Sequence, residues 1–166
     1  MTKRQAYDVH SFGISSALAA PPEVVWRHVA SMDGVNSELM PLLRMTVPPG
    51  LDGAGLDALP LGRRAGRSWL LLFGFIPVDF DNLTIAERGP GHRFLERSTM
   101  LTQSCWEHER TVEAVGAGCR VVDRLRWQGR SFPLGALYRL AVPVLFRHRH
   151  RRLRKRFGVR SARTYD

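Results

Sequence analysis

From Arg67 to Gln128 the chain alternates apolar and polar residues in short runs, and Gly- or Pro-bearing stretches separate the runs. A period of two is the signature of strands with one buried face. The pattern predicts strands over Arg67–Phe73, Val78–Arg88, Arg93–Met100, Ser104–Val115 and Cys119–Gln128. Gly74-Phe75-Ile76-Pro77, Gly89-Pro90-Gly91 and Gly116-Ala117-Gly118 supply the turns. Short connections between successive strands predict an antiparallel meander. Ahead of it, Tyr7–Leu18 reads as a strand and Met45–Val47 as a short one. Between these, Pro21-Pro22-Glu23 opens a helix to Ser31 that buries Val25, Trp26 and Val29. Asp33-Gly34 is expected to break it before a second helix over Val35–Leu43, whose last turn Pro41 disturbs. Pro48 to Gly62 is the one long loop. Leu134–Phe157 is predicted as the long final helix, apolar nearly all round at its start and basic at its end.

Alternation also sorts the side chains of the last hairpin. On Ser104–Val115 the inward set is Trp106, His108, Arg110 and Val112, and Glu107, Glu109, Thr111 and Glu113 face water. On Cys119–Gln128 the inward set is Val121, Asp123, Leu125 and Trp127. A two-residue turn at Gly116-Ala117 sets Trp106 opposite Trp127, His108 opposite Leu125 and Arg110 opposite Asp123. A buried charge is costly unless paired, so an Arg110–Asp123 ion pair is expected. Trp69–Ile76 is apolar on both parities. Cover from the first two helices or a loop is the favoured explanation, and a dimer contact or a lip where a ligand enters is the alternative.

Composition changes this picture little, and charge changes it more. In 166 residues, 44% are hydrophobic and 24% charged, as expected for one folded domain over 1–166 with its core at about 7–157. The net charge is +10, and ten Arg or Lys with no acid lie between Arg139 and Arg163. A solvated helix end complementing its own dipole accounts for the run; attraction to anionic lipid or nucleic acid is the sharper reading, with a weak hold on an anionic membrane surface as the partner it suggests. No specific nucleic-acid partner is expected. Cys105 and Cys119 fall at opposite ends of their hairpin and are expected as free thiols. No apolar stretch approaches the ~20 residues of a membrane span, and no secretory leader is evident, so a cytoplasmic protein is expected.

The order of strand, two helices, meander and long helix resembles the START-like superfamily, also called SRPBCC or helix-grip. The carriers are Ala20-Pro21-Pro22-Glu23-Val24-Val25-Trp26, Trp106-Glu107-His108-Glu109-Arg110, Val122-Asp123-Arg124-Leu125 and Pro133-Leu134-Gly135-Ala136-Leu137 ahead of a basic-ended helix. The resemblance implies an α+β fold. In it a curved antiparallel sheet of six to seven strands wraps around the C-terminal helix, with two short helices after the first strand; the basic tail at 158–166 is read from this sequence itself. The resemblance also implies an apolar cavity between sheet and helix, used for bulky hydrophobic molecules such as lipids, isoprenoids or polyketides.

The residues expected to line that cavity are Trp26, Phe80, Phe94, Trp106, Trp127, Tyr138 and Val142, with Arg110, Asp123 and His108 as its polar end. Binding without catalysis is the favoured function. A cyclase or dehydratase acting on an aromatic or polyketide substrate is the alternative, and a peripheral adaptor held by the basic helix is the third reading. No catalytic residue is assigned, and no cofactor is expected. His148 and His150 stand two apart on a helix among arginines, which argues against a metal site. Asp79 and Asp81 share a parity and are expected on a solvated face.

Overall fold

The computed structural model describes residues 9–53 and 55–160. Strand β1 (Val9–Leu18) leads into helices α1 (Pro22–Val29) and α2 (Met32–Leu39), then the short strand β2 (Leu43–Met45). Strands β3 (Arg64–Leu72), β4 (Ile76–Arg88), β5 (His92–Met100), β6 (Gln103–Val115) and β7 (Gly118–Gly129) follow, and helix α3 (Phe132–Phe157) closes the chain. The seven strands form one antiparallel sheet in the order β1-β7-β6-β5-β4-β3-β2. This is the expected helix-grip architecture, with α3 lying against the concave face over β1 and β7 and touching α2. Tyr7, where the first strand was expected to begin, and most of the basic tail lie outside the described residues.

The last hairpin has the register that alternation predicts. Val115 pairs with Gly118 across a two-residue turn, so Trp106 stands opposite Trp127, His108 opposite Leu125 and Arg110 opposite Asp123. The inward sets are buried and the outward ones are not. On the convex face Glu109 pairs with Arg93 at 2.7 Å and Arg124 at 3.1 Å, and Glu107 with Arg97 at 3.3 Å. Such exposed pairs contribute little stability, but they offset much of the positive charge of that face.

Two expectations change. Asp33 and Gly34 do not break a helix; they open α2. Ser31 caps it by accepting the Gly34 N–H at 3.0 Å and in turn donates to His28 O at 2.8 Å. A Cβ on Gly34 would fall 1.8 Å from the His28 carbonyl oxygen, so glycine is required there for close approach of the two helices. The helix ends at Leu39, because Pro41 disfavours helical geometry in the residue before it.

The apolar run from Trp69 also differs. Leu70 points inward, but Trp69, Phe73, Phe75, Ile76 and Val78 are all exposed, Phe75 to 72%. Neither α1, α2 nor the long loop covers them.

Candidate functional site

Three features of the fold meet between the sheet and α3. The sheet curls, α2 and α3 cover only part of it, and the inward side chains of β3–β5 are of moderate size. A cavity of about 580 Å³ remains. Val35 and Leu39 of α2, Leu43 and Met45 of β2, and Leu70 and Leu72 of β3 form one side. Leu83, Ile85, Phe94, Met100 and Trp106 form the floor, and Tyr138, Val142, Leu145 and Phe146 of α3 the roof. At the mouth stand Phe73, Val78, Leu137 and Val144, each lining the cavity and largely exposed. The uncovered apolar run of β3–β4 and the outer face of α3 therefore make one rim.

Of the residues expected to line the cavity, Phe94, Trp106, His108, Tyr138 and Val142 do so. Five do not. Phe80 lies on the convex face, stacked edge-on to Trp69 at 5.5 Å with the Arg67 guanidinium 3.9 Å over its ring. Its parity is opposite to that of Leu83 and Ile85, which face inward. Trp26 packs beside the cavity, stacked on His92 at 5.4 Å and tilted against Phe94 at 6.3 Å. Trp127 is buried deeper, between His10 at 5.8 Å and Trp106 at 6.5 Å.

Arg110 and Asp123 are wholly buried at one end of the core. Arg110 donates from Nε to Asp123 Oδ1 and from Nη2 to Oδ2, both at 2.7 Å. Its Nη1 reaches both oxygens of Glu38, at 3.0 and 2.9 Å. Arg149 Nε donates to Glu38 Oε2 at 2.9 Å. His108 Nε2 donates to Asp123 Oδ1 at 2.8 Å and His150 Nε2 to Oδ2 at 2.9 Å, since an ionised carboxylate only accepts. His150 Nδ1 then accepts from Ser16 Oγ at 2.8 Å, and Arg154 donates to the same oxygen at 2.8 Å. Burial opposes the charge on Asp123, but the Arg110 guanidinium and its hydrogen bonds outweigh burial and hold the carboxyl well below the usual range. Two guanidinium groups thus meet two carboxylates, and β6, β7, α2 and α3 are tied together. Arg149, His150 and Arg154 of the basic run are engaged inside the protein, and His148 Nε2 lies 3.0 Å from Met40 O.

A second polar group faces the cavity, and the sequence reading missed it. Asp79 and Asp81 are 2% and 3% exposed, on the parity of Leu83 and Ile85. That shared parity was the available signal. Asp79 is held by the Phe80 and Leu101 amides at 2.7 and 2.9 Å and by the hydroxyls of Thr102 and Tyr138. Asp81 and Glu96 both line the cavity as neighbours. Ser98 donates to Glu96 Oε1 at 2.8 Å, and His108 Nδ1 stands 3.9 Å from Oε2. Asp81 Oδ1 is buried, and no hydrogen-bond partner for it stands among the described residues. Burial pushes the Asp81 carboxyl well above the usual carboxylate range, and Glu96 beside it adds to the push.

An acid with a raised folded-state value holds its proton more tightly folded than unfolded. Its ionisation subtracts stability as pH rises from the unfolded value near ~3.9 through the raised folded one. Asp81→Asn should therefore stabilise the protein at about pH 8, by about 1–3 kcal/mol, and the gain should close towards about pH 4. Urea unfolding at both pH values checks this; an equal gain at both would contradict it.

Among the described residues no helix is long and apolar enough to cross a membrane. No curated protein matches the sequence. Solved structures match it over nearly the whole fold. A protein from Chromobacterium violaceum superposes with a TM-score of 0.68 at 15% identity, covering 90% of this chain and 98% of that one. The Zhui aromatase/cyclase from a Streptomyces species gives 0.65 at 10% identity, covering 90% and 93%. A START superfamily protein from Mycobacterium smegmatis gives 0.63 at 10% identity, covering 89% and 97%. These likenesses establish the START-like, or SRPBCC, helix-grip fold. Residues 16–157 match the model of the family described as a domain of unknown function, DUF8410, and the chain belongs to that family.

Proposed function

We propose that the protein binds a bulky, mainly apolar small molecule (a lipid, isoprenoid or polyketide-like compound) between its sheet and α3. The observation that carries this reading is the cavity of about 580 Å³ with aliphatic and aromatic walls. Its size falls within the ~300–1,000 Å³ of typical small-molecule sites. An apolar mouth at Phe73, Val78, Leu137 and Val144 gives such a molecule a way in. Phe94, Trp106, Tyr138 and Val142 would contact its body and His108 its polar end. Arg110 and Asp123 act on this site only by fixing His108 and α2. Incubation with fatty acids, isoprenoids and polyketides, followed by native mass spectrometry, should give one retained molecule per chain. Failure of every class to be retained would remove the proposal.

His108 supports a second reading. It lines the cavity beside Glu96, so a cyclase or dehydratase on a polyketide-like molecule could use the same pocket. The same spectra test this, because dehydration would return the molecule lighter by one water.

A further inference from the structure

The border of the cavity mouth is apolar on its outer side as well as its inner one. The β3–β4 hairpin carries Phe73, Phe75, Ile76 and Val78 at its tip, all exposed. Across the mouth, α3 carries Leu137, Leu140 and Val144 on its outer face, Leu140 exposed to 70%. Phe73 and Val78 line the mouth together with Leu137 and Val144, so the hairpin and the helix form one border. Single apolar side chains on a surface need no explanation, whereas a contiguous patch of them marks a place of contact.

Charge decides what the patch meets. Leu137, Leu140 and Val144 continue at helical spacing into Arg151 and Lys155, with Arg147 at the edge of the same face, and these three cations are exposed. Neither α3 nor residues 69–78 contains an acid, on a chain of net charge +10. A second copy docked through this face would bring the same cations and no acid from this face to meet them. A nucleic acid offers phosphates but leaves Phe75, Ile76 and Leu140 in water. An anionic bilayer offers both an apolar interior and negative headgroups.

We propose that this face docks on an anionic lipid bilayer. The hairpin tip and the first turns of α3 enter the headgroup boundary by ~5–10 Å, and Arg147, Arg151 and Lys155 lie on the lipid phosphates. The cavity mouth then opens into lipid, so an apolar molecule passes between bilayer and cavity without crossing water. The docking depends on the surface and not on which molecule the cavity holds.

Cosedimentation of the full chain with vesicles of phosphatidylcholine, with and without phosphatidylserine, tests this. Binding should require phosphatidylserine and weaken as salt is raised. The double variant Phe75→Gln, Leu140→Gln should partition onto the anionic vesicles about tenfold less or weaker still. Arg151→Gln with Lys155→Gln should lose a similar factor. All four side chains are exposed, so both variants should unfold thermally as the native chain does. No binding to the anionic vesicles would overturn the proposal. So would binding that the Phe75, Leu140 variant leaves unchanged, which is the behaviour of adsorption by charge alone. A dimer in sedimentation velocity that the same variant dissociates would give the face to a second copy instead. Retention of an apolar molecule in native mass spectrometry without vesicle binding would remove the docking and leave cavity binding intact.

Discussion

Replacing Arg110 by Met should destabilise the protein by about 3–5 kcal/mol, because it leaves two buried carboxylates with too few cations. Such a loss is a large part of the ~5–15 kcal/mol that holds a domain together. Arg110 is wholly buried and makes four charge-assisted hydrogen bonds, two to Asp123 and two to Glu38. Methionine fills similar space, so the loss is electrostatic and not a packing defect. Without Arg110, among the described residues Asp123 keeps only the two histidines and Glu38 only Arg149.

The same variant carries a pH signature. Asp123 has a depressed folded-state value, so its contribution is present above the unfolded value near ~3.9 and is lost as pH falls below it. The native chain should therefore lose stability steeply in the acid range, and Arg110→Met should show a shallower slope there. Urea denaturation across that range measures both quantities. A variant within ~1 kcal/mol of native stability would show that the network is not what joins α2 and α3 to the sheet.

Filling the cavity should have the second large effect, on binding and not on folding. Val142 is buried on α3 and points into the space that a ligand would take. Enlarging a residue in a filled core usually costs about 1–3 kcal/mol, but an unfilled cavity accepts the added volume with less strain. Val142→Trp should keep most of the native stability and lose tenfold or more of the affinity for an apolar ligand. The native protein gains about 2.7 kcal/mol from a ligand at a hundred times its Kd. Thermal unfolding with and without 2-ethylnaphthalene should show that gain in the native chain and little of it in the variant.

The sequence made the sheet legible where alternation was clean and turns were short. Trp106, His108 and Arg110 could be placed opposite Trp127, Leu125 and Asp123 because β6 and β7 keep one period on both sides of a two-residue turn. Glu38 was not legible as the second partner of Arg110. It lies 72 residues away, and periodicity within one element does not state which elements will touch. Its position one turn after Val35 and beside Leu39, both facing the cavity, marked it as inward. Arg149 follows Val142 and Phe146 at helical spacing on α3, which puts it on their face, but spacing within one helix does not name its partner. Asp79 and Asp81 were misplaced because two acids suggest solvent, whereas Leu83 and Ile85 on the same parity fix their face. Phe80 was misplaced by the converse error, an aromatic taken as inward against the parity of its own strand.

The space between the sheet and α3 is the proposed seat of an apolar molecule. Titration with the neutral fluorescent probe N-phenyl-1-naphthylamine tests it most directly, in the native chain and in Val142→Trp side by side. Saturable fluorescence enhancement at one probe per chain in the native protein, weakened tenfold or more in the variant, is the predicted result. Enhancement that never saturates, or that is the same in both proteins, would contradict it.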